Sequence, residues 1–355
     1  MTQFNRRQFL IRGSLASTLA LGARGLLADD DEGQDERDPE QTAAELVTPR
    51  AQTAIARGLE YLASRQAENG SFGTGVYSQN VAVVALGGLA FMSGGSTPGR
   101  GPYGEQVDRC LDYILKNTDQ SGLISRHQAR THGRMYGHGF ATLFLAQAYG
   151  MTQRNDVRRK LSEAVRLIVR TQNQEGGWRY EPVPNDADVS VTVCQIMALR
   201  AARNAGIHAP KETRDRCVEY IKKCQNNDGG FRYILRGSDS KFPRSAAGVV
   251  ALQSAGIYEG PEIEKGLAYL MRFLPDPHFG ARDGHYFYGH YYAVQAMWHA
   301  GGEHWHAWYP AIRDTLIGQQ RRDGSWMDSI GQEYGTSMAL IVLQMPNNML
   351  PIFQR

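Results

Sequence analysis

Two aspartates, Asp186 and Asp188, stand in the stretch "NDADVSV", directly before an apolar run that reads as a helix. A carboxyl at the start of a buried helix can do acid chemistry, because burial favours its protonated form and a held proton can be delivered to a substrate. The plainer role for such residues is capping, since Asp, Ser and Thr are ordinary N-cap residues. Three further helix starts carry groups of the same kind: Tyr136 and His138 in "YGHGFA", Tyr288, His290 and Tyr292 in "YGHYYA", and Tyr334 in "YGTSMA". Tyrosines and histidines there can bind or orient a ligand, and their rings can line an apolar cavity.

These residues recur because the chain repeats. The heptad "QNQEGGW" at 172–178 has relatives at 66–72 (QAENGSF), 225–231 (QNNDGGF) and 320–326 (QRRDGSW), with weaker copies near 117–123 and 273–280. Spacings of 47 to 55 residues are the mark of a solenoid-type repeat. Each copy ends a one-sided helix such as "LSEAVRLIVRTQ" and precedes a segment apolar on nearly all sides, such as "GFATLFLAQAYG". Helices apolar all round belong inside and one-sided helices around them. The expected fold is therefore all-α, an (α/α)6 toroid of six inner and six outer helices. In that ring the inner-helix starts share one mouth, with Tyr77, Tyr136, Asp188, Pro243, Tyr288 and Tyr334 in one aligned slot. Gln79, His138, Ser190, Ser245, His290 and Thr336 form the next slot, and both are expected as polar belts around the opening.

The heptad resembles the Q-x3-G-x-W repeat of squalene-hopene cyclase and other triterpene cyclases, the prenyltransferase/squalene oxidase repeat. The resemblance covers about 50–345. It implies the α/α toroid that is also found in protein prenyltransferase β subunits and complement thioester domains. It further implies a small apolar or isoprenoid ligand, and a comparison of "DADV" with the cyclase acid motif Asp-x-Asp-Asp. Asp186 then matches the first position and Asp188 the middle, proton-donating one, while Val189 replaces the last aspartate. The catalytic expectation from the resemblance is proton-initiated cyclisation or isomerisation through Asp188. Tyr136, His138, Tyr288, His290, Tyr292 and Tyr334 would bind the substrate.

No cofactor is implied and no metal site is expected. His138 and His290 face each other across the ring, where backbones are ~14 Å apart if neighbouring axes are ~9 Å apart, too far to share one zinc. The zinc pattern of prenyltransferases is not reproduced, and "YGEQ" at 103–106 has Tyr103 where a thioester needs cysteine. The four cysteines read as free thiols: Cys217 and Cys224 lie ~10 Å apart along one helix, beyond a disulfide's reach.

Residues 1–28 place Arg6 and Arg7 before Phe9, Leu10 and a short apolar run, which reads as a twin-arginine export signal to the periplasm or exterior. Residues 29–45 are an acidic, solvated spacer, and 46–355 form the toroid. Without the leader's four arginines, 35 basic residues face 36 acidic ones, so no basic field for nucleic acid remains. A single toroid has two open ends, and a membrane surface or protein partner is one way to close it. Two other classes fit the same pattern. One is a carbohydrate-active (α/α)6 enzyme, lyase or hydrolase, using Asp188, His138, His290, Tyr136, Tyr288 and Arg134, and the other is a scaffold that binds without catalysis.

Overall fold

In a computed structural model the structure describes residues 45–126, 131–237, 239–276 and 284–354. The leader, the spacer up to residue 44 and half of the weak repeat near 273–280, residues 277–280, lie outside the described residues. Among the described residues six one-sided helices alternate with six buried ones. The outer set is α1 (Pro49–Arg65), α3 (Gly104–Lys116), α5 (Asn155–Arg170), α7 (Lys211–Lys223), α9 (Pro261–Met271) and α11 (Gly302–Gln319). The inner set is α2 (Val81–Ser93), α4 (Arg134–Tyr149), α6 (Val189–Asn204), α8 (Phe242–Ser254), α10 (Tyr286–Ala300) and α12 (Gln332–Leu343).

Sequence pattern explains the two layers. On α5 only Val157, Leu161, Ala164, Val165, Leu167 and Ile168 are buried, a stripe at three-four spacing, whereas α2 buries every residue except Ala82. Each inner helix packs on the next, α2 on α4, α6, α8, α10 and α12 in turn, and α12 returns to α2. The chain thus closes into the expected toroid. One difference concerns α11: it starts at Gly302, well before the stretch "YPAIRDTLIGQQ", and runs through Pro310. His306, whose carbonyl loses its helical donor at Pro310, is exposed to water.

The repeated heptad is a fastener between successive outer helices. In the third copy, Gln172 Nε2 donates to Gly176 O within its own turn (2.7 Å) and to Thr213 O on α7 (2.8 Å). The last copy does the same toward the first helix, Gln320 Nε2 donating to Gly324 O (2.9 Å) and Ala54 O (2.8 Å), which seals the outer ring. The glycine is required on two grounds. At Gly176 φ is +103°, and a Cβ there would stand 2.2 Å from Arg216 O. The aromatic then enters the core, Trp178 Nε1 donating to Ile168 O (2.7 Å).

Below its mouth the barrel is filled. Phe140 on α4 meets Tyr291 on α10 with ring centroids 6.0 Å apart, and Tyr292 Oη lies 3.3 Å from Cys194 Sγ on α6. At the opposite end residues 351–354 lie across the C-terminal ends of three inner helices. Ile352 N donates to Gln147 Oε1 (3.3 Å), Trp298 Nε1 to Phe353 O (2.9 Å), and Arg200 to Gln354 O. That end is therefore covered by the chain itself.

Candidate active site

The mouth at the inner-helix N-termini holds a cavity of about 670 Å³. Tyr77, Tyr136, Pro243, Tyr288 and Tyr334 of the first aligned slot all line it, joined by Phe140 one helical turn below Tyr136. Tyr288 Oη donates to Ser190 O (2.9 Å), tying α10 to α6 across the floor.

Asp188 occupies a different place from its slot-mates. It is the N-cap of α6, has no solvent-accessible surface, and is held on both oxygens. Val191 N donates to Oδ1 (2.8 Å) and Tyr233 Oη to Oδ2 (3.2 Å), while Arg179 Nε stands 3.7 Å from Oδ2. Burial pushes the carboxyl up to about 6, against the pull of the Val191 amide, the Tyr233 hydroxyl and the Arg179 guanidinium. Asp186 is more than half exposed and pairs with Arg179 outside the cavity. The two carboxyls are thus separated in environment, one desolvated and one in water.

The second slot is not a belt at the mouth. His138 has both ring nitrogens committed toward the outer layer: Ile124 N donates to Nδ1 (3.1 Å) and Nε2 donates to Ala164 O (3.2 Å). Burial holds its pKa down to about 4. Ser245 and Thr336 serve the same purpose as His138, accepting from Phe231 N (2.8 Å) and Trp326 N (3.0 Å) of the fastening turns. The equivalent in the third repeat is Thr192, which accepts from Trp178 N (3.0 Å), so that repeat is offset by two residues from the sequence alignment. Ser190 accordingly takes the tyrosine position and lines the cavity. His290 is buried against Tyr286, Phe242 and Trp308 and is driven down to about 3 by burial alone. Tyr292 is wholly buried beneath Tyr288, ring centroids 4.8 Å apart. His138, His290 and Tyr292 are therefore not among the residues that line the cavity: the two histidines are on the side of their helices turned to the outer layer, and Tyr292 is on the lumen side but packed into the filled barrel below the mouth. Arg134 is half exposed and engaged by Glu181, Nε to Oε2 2.7 Å.

Several lining residues were not singled out by the sequence reading. Tyr180 and Tyr233 follow the aromatic of two fastening turns, in "GGWRY" and "GGFRY", and their hydroxyls are hydrogen-bonded to each other. The repeated tyrosine was the available signal. The Arg179 guanidinium lies over both rings, 5.2 Å and 5.7 Å from their centroids. Lys241 and Arg244 bring positive charge to the wall at the start of α8. Arg244 spends its Nε on Phe231 O (3.1 Å) and an Nη on Asp239 O. Among the described lining residues there is no carboxylate.

An all-helical toroid with a desolvated acid behind an aromatic mouth defines the class, and the family follows from comparison. The prenyltransferase alpha-alpha toroid domain model matches residues 43–276, and the chain belongs to that family. Drimenyl diphosphate synthase from Streptomyces showdoensis is 25% identical over 185 residues, 52% of this chain and 33% of that protein. The match therefore spans about a third of that relative's length. Type II terpene cyclase MstE from Scytonema, solved as a variant with geranylgeranyl dihydroxybenzoate, superimposes with a TM-score of 0.60 at 16% identity, covering 86% of this chain and all of that one. A GH76 α-mannanase from Bacteroides thetaiotaomicron superimposes with a TM-score of 0.63 at 10% identity, covering 88% and 98%. At such identities both likenesses establish the fold, a terpene-cyclase-like toroid shared with a carbohydrate-active barrel.

Proposed function

We propose that the protein takes an isoprenoid chain into the mouth cavity and starts its cyclisation or isomerisation by protonation, Asp188 being the source of the proton. The observation that carries this reading is the desolvated Asp188, kept at about 6 beside an aromatic cavity of about 670 Å³. A carboxyl with that pKa still holds its proton in a useful fraction of molecules near neutrality, and gives it up more readily than a weaker acid would. In the first step the alkene π pair forms a C–H bond to the proton, Asp188 becomes a carboxylate, and a carbocation remains on the substrate. The faces of Tyr136, Phe140 and Tyr334 offer negative quadrupole to that charge. Loss of a proton from the rearranged cation ends the reaction and restores neutrality.

Lys241 and Arg244 suit an anionic head group on the same chain, which the diphosphate in the name of the Streptomyces relative supports. Residues 1–28 are proposed to direct export, and among the described residues no helix is long and apolar enough to cross a membrane. The test is incubation of purified protein with squalene, farnesyl diphosphate, geranylgeranyl diphosphate and farnesol, with products read by gas chromatography and mass spectrometry after dephosphorylation. Turnover of a diphosphate in preference to farnesol is expected, and Asp188→Asn should lower it by roughly 10²-fold or more. Wild-type turnover in Asp188→Asn would remove the acid from the mechanism.

A further inference from the structure

We infer that the Tyr233 hydroxyl, rather than the Asp188 carboxyl itself, hands the proton to the substrate, with Asp188 as the reservoir behind it. The inference rests on the acid-initiated reading above. Its ground is that Asp188 has no accessible surface although the cavity is open to solvent, so neither of its oxygens meets a ligand there. Oδ1 is occupied by the Val191 amide, and the group standing between Oδ2 and the cavity is Tyr233, whose Oη is 3.2 Å from Oδ2 and whose side chain lines the wall. Tyr233 arrives from the turn after α7, 45 residues along the chain from Asp188. It is fixed on its other side by the Tyr180 hydroxyl and beneath by the Arg179 guanidinium.

The transfer balances as two coupled movements. With Asp188 protonated, the hydrogen bond that Tyr233 gives the carboxylate reverses, Oδ2–H donating to Tyr233 Oη and the phenol proton turning to the cavity. The Oδ2–H bond then breaks as that proton joins Oη, and the proton already on Tyr233 leaves for the alkene carbon, whose π pair forms the new C–H bond. Tyr233 begins and ends neutral, and Asp188 ends as the carboxylate. A free phenolate is never formed, which matters because burial and the Asp188 charge raise the Tyr233 pKa well above the usual phenol range. Arg179, 3.7 Å from Oδ2, faces the new negative charge and acts as a positioning residue for both rings.

Tyr233→Phe keeps the ring and removes only the hydroxyl. With whichever of squalene, farnesyl diphosphate or geranylgeranyl diphosphate the wild type consumes, turnover should fall by roughly 10²-fold or more. Binding of the same probe should stay within a few fold. In mixtures of light and heavy water the wild-type rate should bow downward, the signature of two protons in flight. A second measurement needs no turnover: the infrared carbonyl band of protonated Asp188, identified by its loss in Asp188→Asn, should shift in Tyr233→Phe as its hydrogen bond disappears. An unshifted band, or a Tyr233→Phe enzyme at wild-type rate while Asp188→Asn is inactive, overturns the relay and leaves the acid reading intact. A wild type that consumes none of the probes overturns both.

Discussion

Replacing Asp188 with asparagine should make the folded protein more stable at neutral pH, and the gain can be worked from the site. The carboxyl titrates at about 6 in the folded chain against 3.8 for an unperturbed aspartate. The gap is about 2 pKa units, and at about 1.4 kcal/mol for each it amounts to about 3 kcal/mol. Because the folded pKa is the higher one, the folded chain holds a proton between these two values that the unfolded chain has already released. Stability contributed by Asp188 therefore falls as pH rises through that window and is level above it. Asparagine does not titrate. It still accepts from Val191 N as an N-cap, and its amide can donate to Tyr233 Oη where the carboxylate accepted. Urea unfolding of both proteins from pH 4 to pH 7.5 should show their stability difference moving in favour of Asp188→Asn by about 3 kcal/mol, most of it between pH 4 and 6.5. A difference that stays constant across that window would refute the burial argument, and with it the poised acid. A stabilising change that removes activity is the behaviour of a site held at some expense to the fold.

Gly176→Ala should destabilise the chain by at least 1–3 kcal/mol, since it combines a left-handed backbone with a Cβ 2.2 Å from Arg216 O; urea unfolding reads the loss, and a neutral outcome would remove the fastener argument. Residues 1–28 fused to a reporter that is active only after folding in the cytoplasm and export should carry it to the periplasm. Changing Arg6 and Arg7 to lysine should retain it inside, and export unaffected by that change would dismiss the twin-arginine reading.

Legibility in the sequence followed the range of the interactions involved. The fastening turns were readable because each is a local device: a glutamine reaching four residues on to its own turn, a glycine at positive φ, an aromatic folded back onto its helix. Tyr77, Tyr136, Tyr288 and Tyr334 were readable as neighbours because a repeat places equivalent residues at equivalent points of a ring. The third repeat misled the alignment. Its polar residues Asp188 and Ser190 resemble the helix starts elsewhere, yet Thr192 is the one that takes the fastening amide, two residues further on. His138 and His290 were placed at the lumen by the same matching of types, when their rings turn toward the outer helices.

By itself, the sequence determined the ring: six inner and six outer helices, their order, and the end at which the inner N-termini gather. Hydrophobic periodicity and turn chemistry act over a few residues and repeat faithfully, so they survive translation into a string of letters. Tertiary structure alone decided that Asp188 is desolvated while Asp186 is in water, and that Tyr233 stands between the acid and the cavity. It also decided that residues 351–354 lie across the far end of the barrel. These features depend on which side of a helix faces which neighbour across 45 to 205 residues of chain, and solvation is a property of that assembled surrounding rather than of the residue.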